Sequence, residues 1–227
     1  ASIGNFYLAL VAICHQTSPP GKPSLEGIVQ GNRRKGWDYL FARFQEAASA
    51  SPDLVTPQYL AGISSKDVRR IFRDPRLGER LTDPARRAHL LNNIGMIMLQ
   101  KRWETANDIY RYCRCRIQGP APNLLGTLAS FQAYSDPLKK KSFYFLALMQ
   151  TANIWTYPDP ASLGPPIDYH EVRGHLRLGT VRIKDRALLE KLTNRVTVTD
   201  EEDLEIRARV LEAIHRISES SGHTPVR

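Results

Sequence analysis

The stretch Ser135–Trp155, "SDPLKKKSFYFLALMQTANIW", places three consecutive lysines directly before a run of almost wholly apolar residues. Asp136 followed by Pro137 is typical of a helix start, since a capping carboxylate precedes a residue whose φ is already set. We therefore predict that a helix begins here and that Lys139–Lys141 lie in its first turn or two. The run Phe143–Leu148 is apolar on all sides, so the body of this helix is predicted to be buried.

The three lysines work against the local electrostatics, because the positive end of the helix dipole disfavours cations. Partial burial and neighbouring ammonium groups would further lower a lysine pKa from its reference value of about 10.4. A lysine that is neutral part of the time is a nucleophile and can form a Schiff base. In the alternative interpretation, the lysine stems cover apolar surface and their heads meet solvent or phosphates.

A candidate partner for these lysines is Asp168, which follows "SLGPPI" and precedes "YHEVRGHLRLG". Asp168 and Glu171 have the spacing of an N-terminal cap and its first helical turn, so a helix is predicted to begin here. A capping carboxylate is held rigidly by backbone N–H groups. Facing a groove, it could also stabilise a sugar cation or activate an attacking group, as in glycoside cleavage.

Apolar residues recur at helical spacing along nearly the whole chain, so we predict an all-α protein. The first two helices are expected in "NFYLALVAICHQ" and "GWDYLFARFQEAA", and another in "ETANDIYRYCRCRI". The expected N-caps are Thr56, Ser64 or Ser65, Asp83 with Pro84 after it, and Thr199 in a capping box with Glu202. No β-hairpin is predicted, and "RVTVT" is the only strand-like run. Residues 1–227 are expected to form a single domain of two lobes, with a cleft lined by about residues 136–175.

The charge balance favours a polyanionic partner. The 227 residues carry a formal net charge of +9 and have a pI near 9.6, which suits nucleic acid or a phosphorylated ligand. No window reaches the ~18 apolar residues of a membrane span, so we predict a cytoplasmic monomer that does not bind membranes. The predicted phosphate contacts are Arg33, Arg34, Lys35, Arg69, Arg70 and Lys139.

The sequence contains no pattern from which we predict a cofactor or a metal site. Its three cysteines are too few for a disulfide framework, and His170 and His175 lie five residues apart instead of the four of a metal-binding helical pair. Gln16, Trp37 and His170 are the candidate base contacts. Gln16 could equally be an ordinary helix-end residue, and Trp37 could be core.

Two segments resemble the helix-hairpin-helix DNA glycosylases, most closely their archaeal 8-oxoguanine branch: "LALVAICHQTS" and "DPLKKKSFYFLALM" followed by "PPIDYHEVRGHL". The resemblance implies that Lys141, with Lys140 as a close second, is the nucleophile and that Asp168 is the catalytic aspartate. The chain departs from the family at His15, where a Gln is usual, and it has no G-x-G before Lys139.

The chain also resembles the queuosine salvage glycosylases, through "IDYHEVRGHLRLG" and "EEDLEIRARVLEAI". In that family the residues after the aspartate usually read Arg-Val-Pro, whereas His170, Glu171 and Val172 stand here. The family lysine falls nearer Phe145 when the flanking residues are matched without a gap.

Three functions are considered, the first two implied by these resemblances and the third by the basic charge and the lysine run. The first is an N-glycosylase of base excision repair that removes a modified purine-type base such as 8-oxoguanine from double-stranded DNA. The base would be extruded into the cleft, with or without Schiff-base lyase activity. The second is cleavage of a free 7-deazaguanine nucleotide such as queuosine monophosphate, with the same Asp168. The third is a non-catalytic helical nucleic-acid-binding protein whose lysines contact phosphates.

Overall fold

The computed structural model describes residues 2–19 and 21–224, and in these two ranges the chain is mainly helical, as the sequence predicts. No helix of the described ranges is both long and apolar enough to cross a membrane. The α-helices are α1 Ile3–Ala12, α2 Trp37–Ala50, α3 Pro57–Gly62, α4 Ser65–Phe72, α5 Pro84–Gln100, α6 Ala106–Tyr112, α7 Leu124–Leu128, α8 Lys140–Thr151, α9 Tyr169–Leu178, α10 Arg186–Thr193 and α11 Asp200–Ser221; the strands are β1 Glu26–Val29 and β2 Asn32–Lys35.

The two strands form an antiparallel hairpin, so the expectation that no hairpin is present was wrong. Gln30 and Gly31 make a two-residue loop in which both φ angles are positive, at 50° and 78°. Such a loop matches the twist of paired strands, and Gly adopts a positive φ without strain. The run at residues 195–199, the only strand-like segment expected, is irregular and leads into α11.

Helix α1 lies at the centre of the fold and packs against α8, α5, α2 and α6. Its residues from Leu8 to Ala12, and Ile13 after it, are at most 1% exposed, which agrees with their apolar character on all sides. The buried Asn5 amide donates to the carbonyls of Val55 and Glu104 at 3.1 and 3.0 Å. These contacts fix the helix, and with it the position of the chain that leaves its C-terminal end.

The predicted caps at Thr56, Ser64, Asp83 and Thr199 are all confirmed by hydrogen bonds from the first helical turn. Helix α6, however, ends at Tyr112 and does not run on to Gly119. Arg114 and Cys115 adopt φ angles of 53° and 62°, which no right-handed helix allows.

Helix α8 begins later than the sequence suggests. Asp136 and Pro137 open a turn, closed by a hydrogen bond from Lys139 N–H to the Asp136 carbonyl at 2.9 Å. Lys139 itself is the N-cap in a left-handed conformation, with φ 58°. The Asp136 carboxylate still serves the helix, because its Oδ2 accepts the Lys140 N–H at 2.9 Å. The three lysines thus occupy the very start of α8, as expected.

Candidate active site

Lys141 lies against the C-terminal end of α1. Its Nζ donates a hydrogen bond to the Ala12 carbonyl at 2.5 Å, and most of the side chain is buried. Burial is the main reason that the Lys141 pKa falls from 10.5 to about 8, and the positive charges of Lys140, Arg87 and Arg86 lower it further. A lowered lysine pKa is what the position of the three lysines predicted.

The cations near Lys141 have different roles. Arg87 is fully buried, and its guanidinium donates to the carbonyls of Ile13, His15 and Thr82, so it ties the end of α1 to the start of α5. The side chains of Arg86 and Lys140 have no hydrogen-bond or ion-pair partner among residues 2–19 and 21–224. Lys140, Lys141 and Arg86 therefore form a positive region, called here the cation cluster, whose members make no ion pair within the described chain.

Cys14 and His15 follow α1 directly and face the same cluster. Burial raises the pKa of the Cys14 thiol, so the thiol stays protonated. Burial, followed by the charges of Arg87 and Lys141, lowers the His15 pKa to about 3, so the imidazole is neutral. Its Nε2 is buried and finds no hydrogen-bond partner in the described residues. The sequence reasoning missed His15 as a site residue, although its departure from the glycosylase motif was a signal.

An aromatic wall borders the cluster. The rings of Trp37 and Tyr144 meet edge to face, with centroids 5.2 Å apart, and Trp37 also packs near Phe41 at 6.2 Å. Burial raises the pKa of Tyr144, and the charges of Cys14, Asp38 and Asp168 add to that shift. The Tyr144 hydroxyl therefore keeps its proton at neutral pH.

Asp168 caps α9, as predicted. Its Oδ1 accepts the backbone N–H groups of His170 at 2.7 Å and Glu171 at 3.4 Å. Its Oδ2 receives no hydrogen bond from any described residue, so one oxygen holds the side chain in place and the other is available. The carboxylate is thus fixed in orientation by its own helix.

The loop before Asp168 rests directly on α8. A Cβ atom added at Gly164 would lie 2.7 Å from the ring of Phe143, so only glycine fits there without a shift. Leu163 and Ile167 on either side are buried. This contact holds the loop that leads to Asp168 against α8.

The predicted phosphate contacts divide into two sets. The guanidinium groups of Arg33, Arg69 and Arg70 are each in an ion pair, with Glu26, Glu79 and Asp67 respectively. Arg34 and Lys35 are exposed on β2, and Lys139 is the cap of α8. Of the predicted set, the structure brings only Lys139 next to Lys140 and Lys141.

The predicted base contacts are also separated. Trp37 belongs to the aromatic wall and packs, partly buried, against the core, which agrees with its core interpretation, whereas its contact to a base stays a prediction. Gln16 is exposed with a φ of 49°, and only its backbone carbonyl is engaged, by the Thr82 hydroxyl at 3.1 Å. His170 is exposed, and its Nδ1 lies 3.0 Å from the Arg173 guanidinium.

A surface hollow of about 710 Å³ adjoins the aromatic wall, since Phe41 lines the hollow and packs near Trp37. Across residues 2–19 and 21–224, His, Cys, Asp and Glu side chains form no group of three or more that could hold a metal ion. The candidate site residues therefore comprise a fixed carboxylate at the start of α9, a cation cluster at the start of α8 and an aromatic wall.

A fixed carboxylate beside a positive region and aromatic faces suits an enzyme that opens a bond at the sugar of a phosphorylated, base-containing ligand. Comparison with known families agrees with that class. The model of the queuosine salvage protein family matches residues 14–224, so the chain belongs to this family, and membership indicates a glycosidase-type enzyme that hydrolyses a nucleoside. A search of curated proteins returned no match.

Proposed function

We propose that this protein hydrolyses the N-glycosidic bond of a free 7-deazaguanine nucleotide such as queuosine monophosphate, releasing the base for salvage. The observation that carries the proposal is Asp168, whose carboxylate is held at one oxygen by the start of α9 and has the other oxygen available beside α8. Family membership across residues 14–224 supports the same substrate class.

Asp168 would act on the sugar. As the bond between C1′ and the base nitrogen breaks, the bonding electron pair leaves with the base and positive charge develops on the sugar. A carboxylate fixed near C1′ stabilises that charge before it forms, without reorganising. Water then adds to C1′, and the proton that it loses balances the proton that the departing base takes up. The Tyr144 hydroxyl, which stays protonated, would donate a hydrogen bond to this assembly.

The cation cluster would hold the phosphate of the nucleotide. Lys140, Lys141 and Arg86 lie together and make no ion pair in the described chain. Cations that lie close together repel one another, and a bound anion offsets this repulsion. One phosphate satisfies a compact cluster of this kind. A DNA duplex would instead need a long row of free cations, whereas Arg33, Arg69 and Arg70 are already paired.

The aromatic wall would receive the base. A base stacks on an aromatic face with a gain of about 1–3 kcal/mol, and Trp37 is only partly buried. The hollow beside Asp38 and Phe41 leaves room next to this wall for a substituent on the base.

The experiment measures base release by chromatography and mass spectrometry from three substrates: queuosine monophosphate, its nucleoside, and a duplex that contains 8-oxoguanine. Wild type is compared with Asp168→Asn and with Glu171→Gln, a matched acid on the same helix turn. We expect base release from the nucleotide by wild type and Glu171→Gln and its loss in Asp168→Asn. Release from the duplex alone, or equal release by all three proteins, would contradict the proposal.

A second candidate function, excision of a modified base from DNA with Schiff-base chemistry, is favoured by one observation. With a pKa of about 8, the Lys141 amine is neutral for part of the time near pH 7 and is then nucleophilic. To react, it would have to leave the Ala12 carbonyl. Borohydride trapping on damaged duplexes tests this function: a covalent adduct that is lost in Lys141→Gln supports it, and no adduct on any duplex excludes it.

A further inference from the structure

We propose that Arg207, on the C-terminal helix α11, is a positioning residue that acts through Asp136 to fix the first turn of α8 and hold the Lys141 amine in the cleft. This role rests on the function proposed above. It makes α11 part of the phosphate-binding machinery, although Arg207 itself does not touch the substrate.

The contact between Arg207 and Asp136 is a two-pronged ion pair. Both terminal nitrogens of the guanidinium donate to Asp136 Oδ1 at 3.0 Å, and one of them also donates to Oδ2 at 3.2 Å. The two side chains are only 14% and 22% exposed. A bidentate pair with this little exposure is held more firmly than a surface ion pair.

Asp136, which the ion pair with Arg207 holds in place, makes hydrogen bonds to the start of α8. The same carboxylate accepts the Lys140 N–H at 2.9 Å, and the Asp136 carbonyl accepts the Lys139 N–H at 2.9 Å. These two bonds support a turn in which Lys139 is left-handed, a conformation that is unfavourable for a residue other than glycine. Arg207 therefore stabilises a helix start that its own residues disfavour.

Lys141 depends on the same helix start. It follows Lys140 directly, and its amine reaches the Ala12 carbonyl only while the first turn of α8 is formed. If the turn frays, the amine moves into water and loses the burial that lowers its pKa. The state of the Arg207–Asp136 pair is thus coupled to the position and the titration of Lys141.

Helix α11 also packs against α9, the helix that Asp168 caps. One helix therefore supports the elements that present both the cation cluster and the catalytic carboxylate. This arrangement gives α11 a reason to be held by a largely buried ion pair instead of by surface contacts alone.

The test measures the titration of Lys141 directly, by following the rate at which an acylating reagent labels this residue from pH 6 to 11, with mass spectrometry as the readout. The variants are Arg207→Met, Arg207→Lys and Asp136→Asn. The matched control is Arg209→Met, which removes an arginine of the same helix whose side chain is 64% exposed and pairs only with Glu205 and Glu212.

We expect the labelling midpoint of Lys141 to rise by at least about one pH unit in Arg207→Met, to recover in part in Arg207→Lys, and to stay at the wild-type value in Arg209→Met. With queuosine monophosphate, KM should rise about tenfold in Arg207→Met while kcat falls less. Asp136→Asn keeps an acceptor for the Lys140 N–H but loses the ion pair, so it should shift the midpoint in the same direction by less.

An unchanged midpoint in Arg207→Met would overturn the role of Arg207. If Arg207→Met does not fold, Arg207→Lys and Asp136→Asn decide the question, and wild-type midpoints in both would overturn it equally. The labelling needs no substrate. A wild type that releases no base from the nucleotide, but whose Lys141 midpoint responds to Arg207, would therefore refute the proposed function and leave the positioning role intact.

Discussion

Helices α8 and α9 begin in opposite ways. Helix α9 starts with Asp168, a carboxylate that its own first N–H groups hold and that the helix dipole favours. Helix α8 starts with three lysines, which the dipole disfavours, on a left-handed cap. It therefore depends on partners from elsewhere: Asp136 before it, Arg207 from α11 and the Ala12 carbonyl of α1.

This difference separates a helix start that favours stability from one that does not. The start of α9 would form for local reasons alone, so its catalytic use adds little cost. The start of α8 keeps unfavourable charge that tertiary contacts must support, which is typical of a site built for a ligand. Substitutions at the start of α8 and at the start of α9 should therefore have different effects.

Replacing the carboxylate at the start of α9 should abolish catalysis without weakening the helix. Asn caps helices as well as Asp does, so Asp168→Asn should unfold at the wild-type temperature. Its rate of base release from queuosine monophosphate should fall by about 10²–10³-fold, because the stabilisation of the sugar cation is lost. Measurements of thermal unfolding and of base release on the same sample check the expected stability and the expected loss of activity. A large loss of thermal stability would show instead that Asp168 is mainly structural.

Removing the amine at the start of α8 should affect binding more than turnover. Lys141→Met should raise KM for the nucleotide by about ten- to a hundredfold, since a charge-assisted contact to phosphate is lost. In wild type, kcat/KM should fall as the pH rises through about 8, because the amine loses its charge there, and the variant should lack this fall. Steady-state kinetics from pH 7 to 9.5 measure both effects. A rise of wild-type activity through pH 8 would instead mark Lys141 as a nucleophile.

The contact that joins the two starts can be broken at Gly164. In Gly164→Ala the new Cβ would meet the Phe143 ring at 2.7 Å, so the loop must shift. We expect a loss of about 1–3 kcal/mol in unfolding free energy and a several-fold lower kcat, since the loop positions Asp168. Gly174→Ala is the matched control, because nothing lies within 4 Å of its added Cβ and alanine favours a helix. Denaturant titration should give a lower unfolding free energy for Gly164→Ala than for Gly174→Ala. Equal unfolding free energies would contradict the contact between Gly164 and Phe143.

The smallest effect is on the pH dependence of stability. Lys141 has a pKa of about 8 when folded and an ordinary value of 10.5, so between these values the unfolded chain binds the extra proton. The unfolding free energy of wild type should therefore rise with pH across this window, relative to Lys141→Met, by about 1–2 kcal/mol. Urea titrations at pH 7.5 and 10 give the difference between the two proteins. A difference that does not change with pH would mean that Lys141 is not desolvated.

The sequence predicted the α9 start well, because capping is local. Asp168 with the residues after it, like Thr56, Asp83 and Thr199 at other helix starts, specifies a helix start within one turn of chain. The same locality explains why the lysines could be placed at the start of α8. Membership of the queuosine salvage family supports the second of the substrates that the sequence suggested, the free 7-deazaguanine nucleotide.

What the sequence could not supply was the set of long-range partners. The bond from Lys141 to Ala12 joins residues 129 positions apart, and that from Arg207 to Asp136 joins residues 71 apart. No periodicity reports such pairs. The missed hairpin has a different cause: its strands are four residues long, β2 is exposed throughout, and one of the two buried positions of β1 is a glycine, so the alternation in burial is not visible as an apolar pattern. His15 was passed over because its significance lies in its burial next to Arg87 and Lys141.

The most direct test of the contrast between the two starts is the ratio of kcat/KM for queuosine monophosphate to that for its nucleoside, measured in wild type and in Lys141→Met. If the start of α8 binds phosphate and the start of α9 acts on the sugar, kcat/KM of wild type should be at least about tenfold higher for the nucleotide than for the nucleoside. Lys141→Met should lose that preference while still releasing base from the nucleoside. Equal preference in both proteins, or no base released from either substrate, would contradict this account.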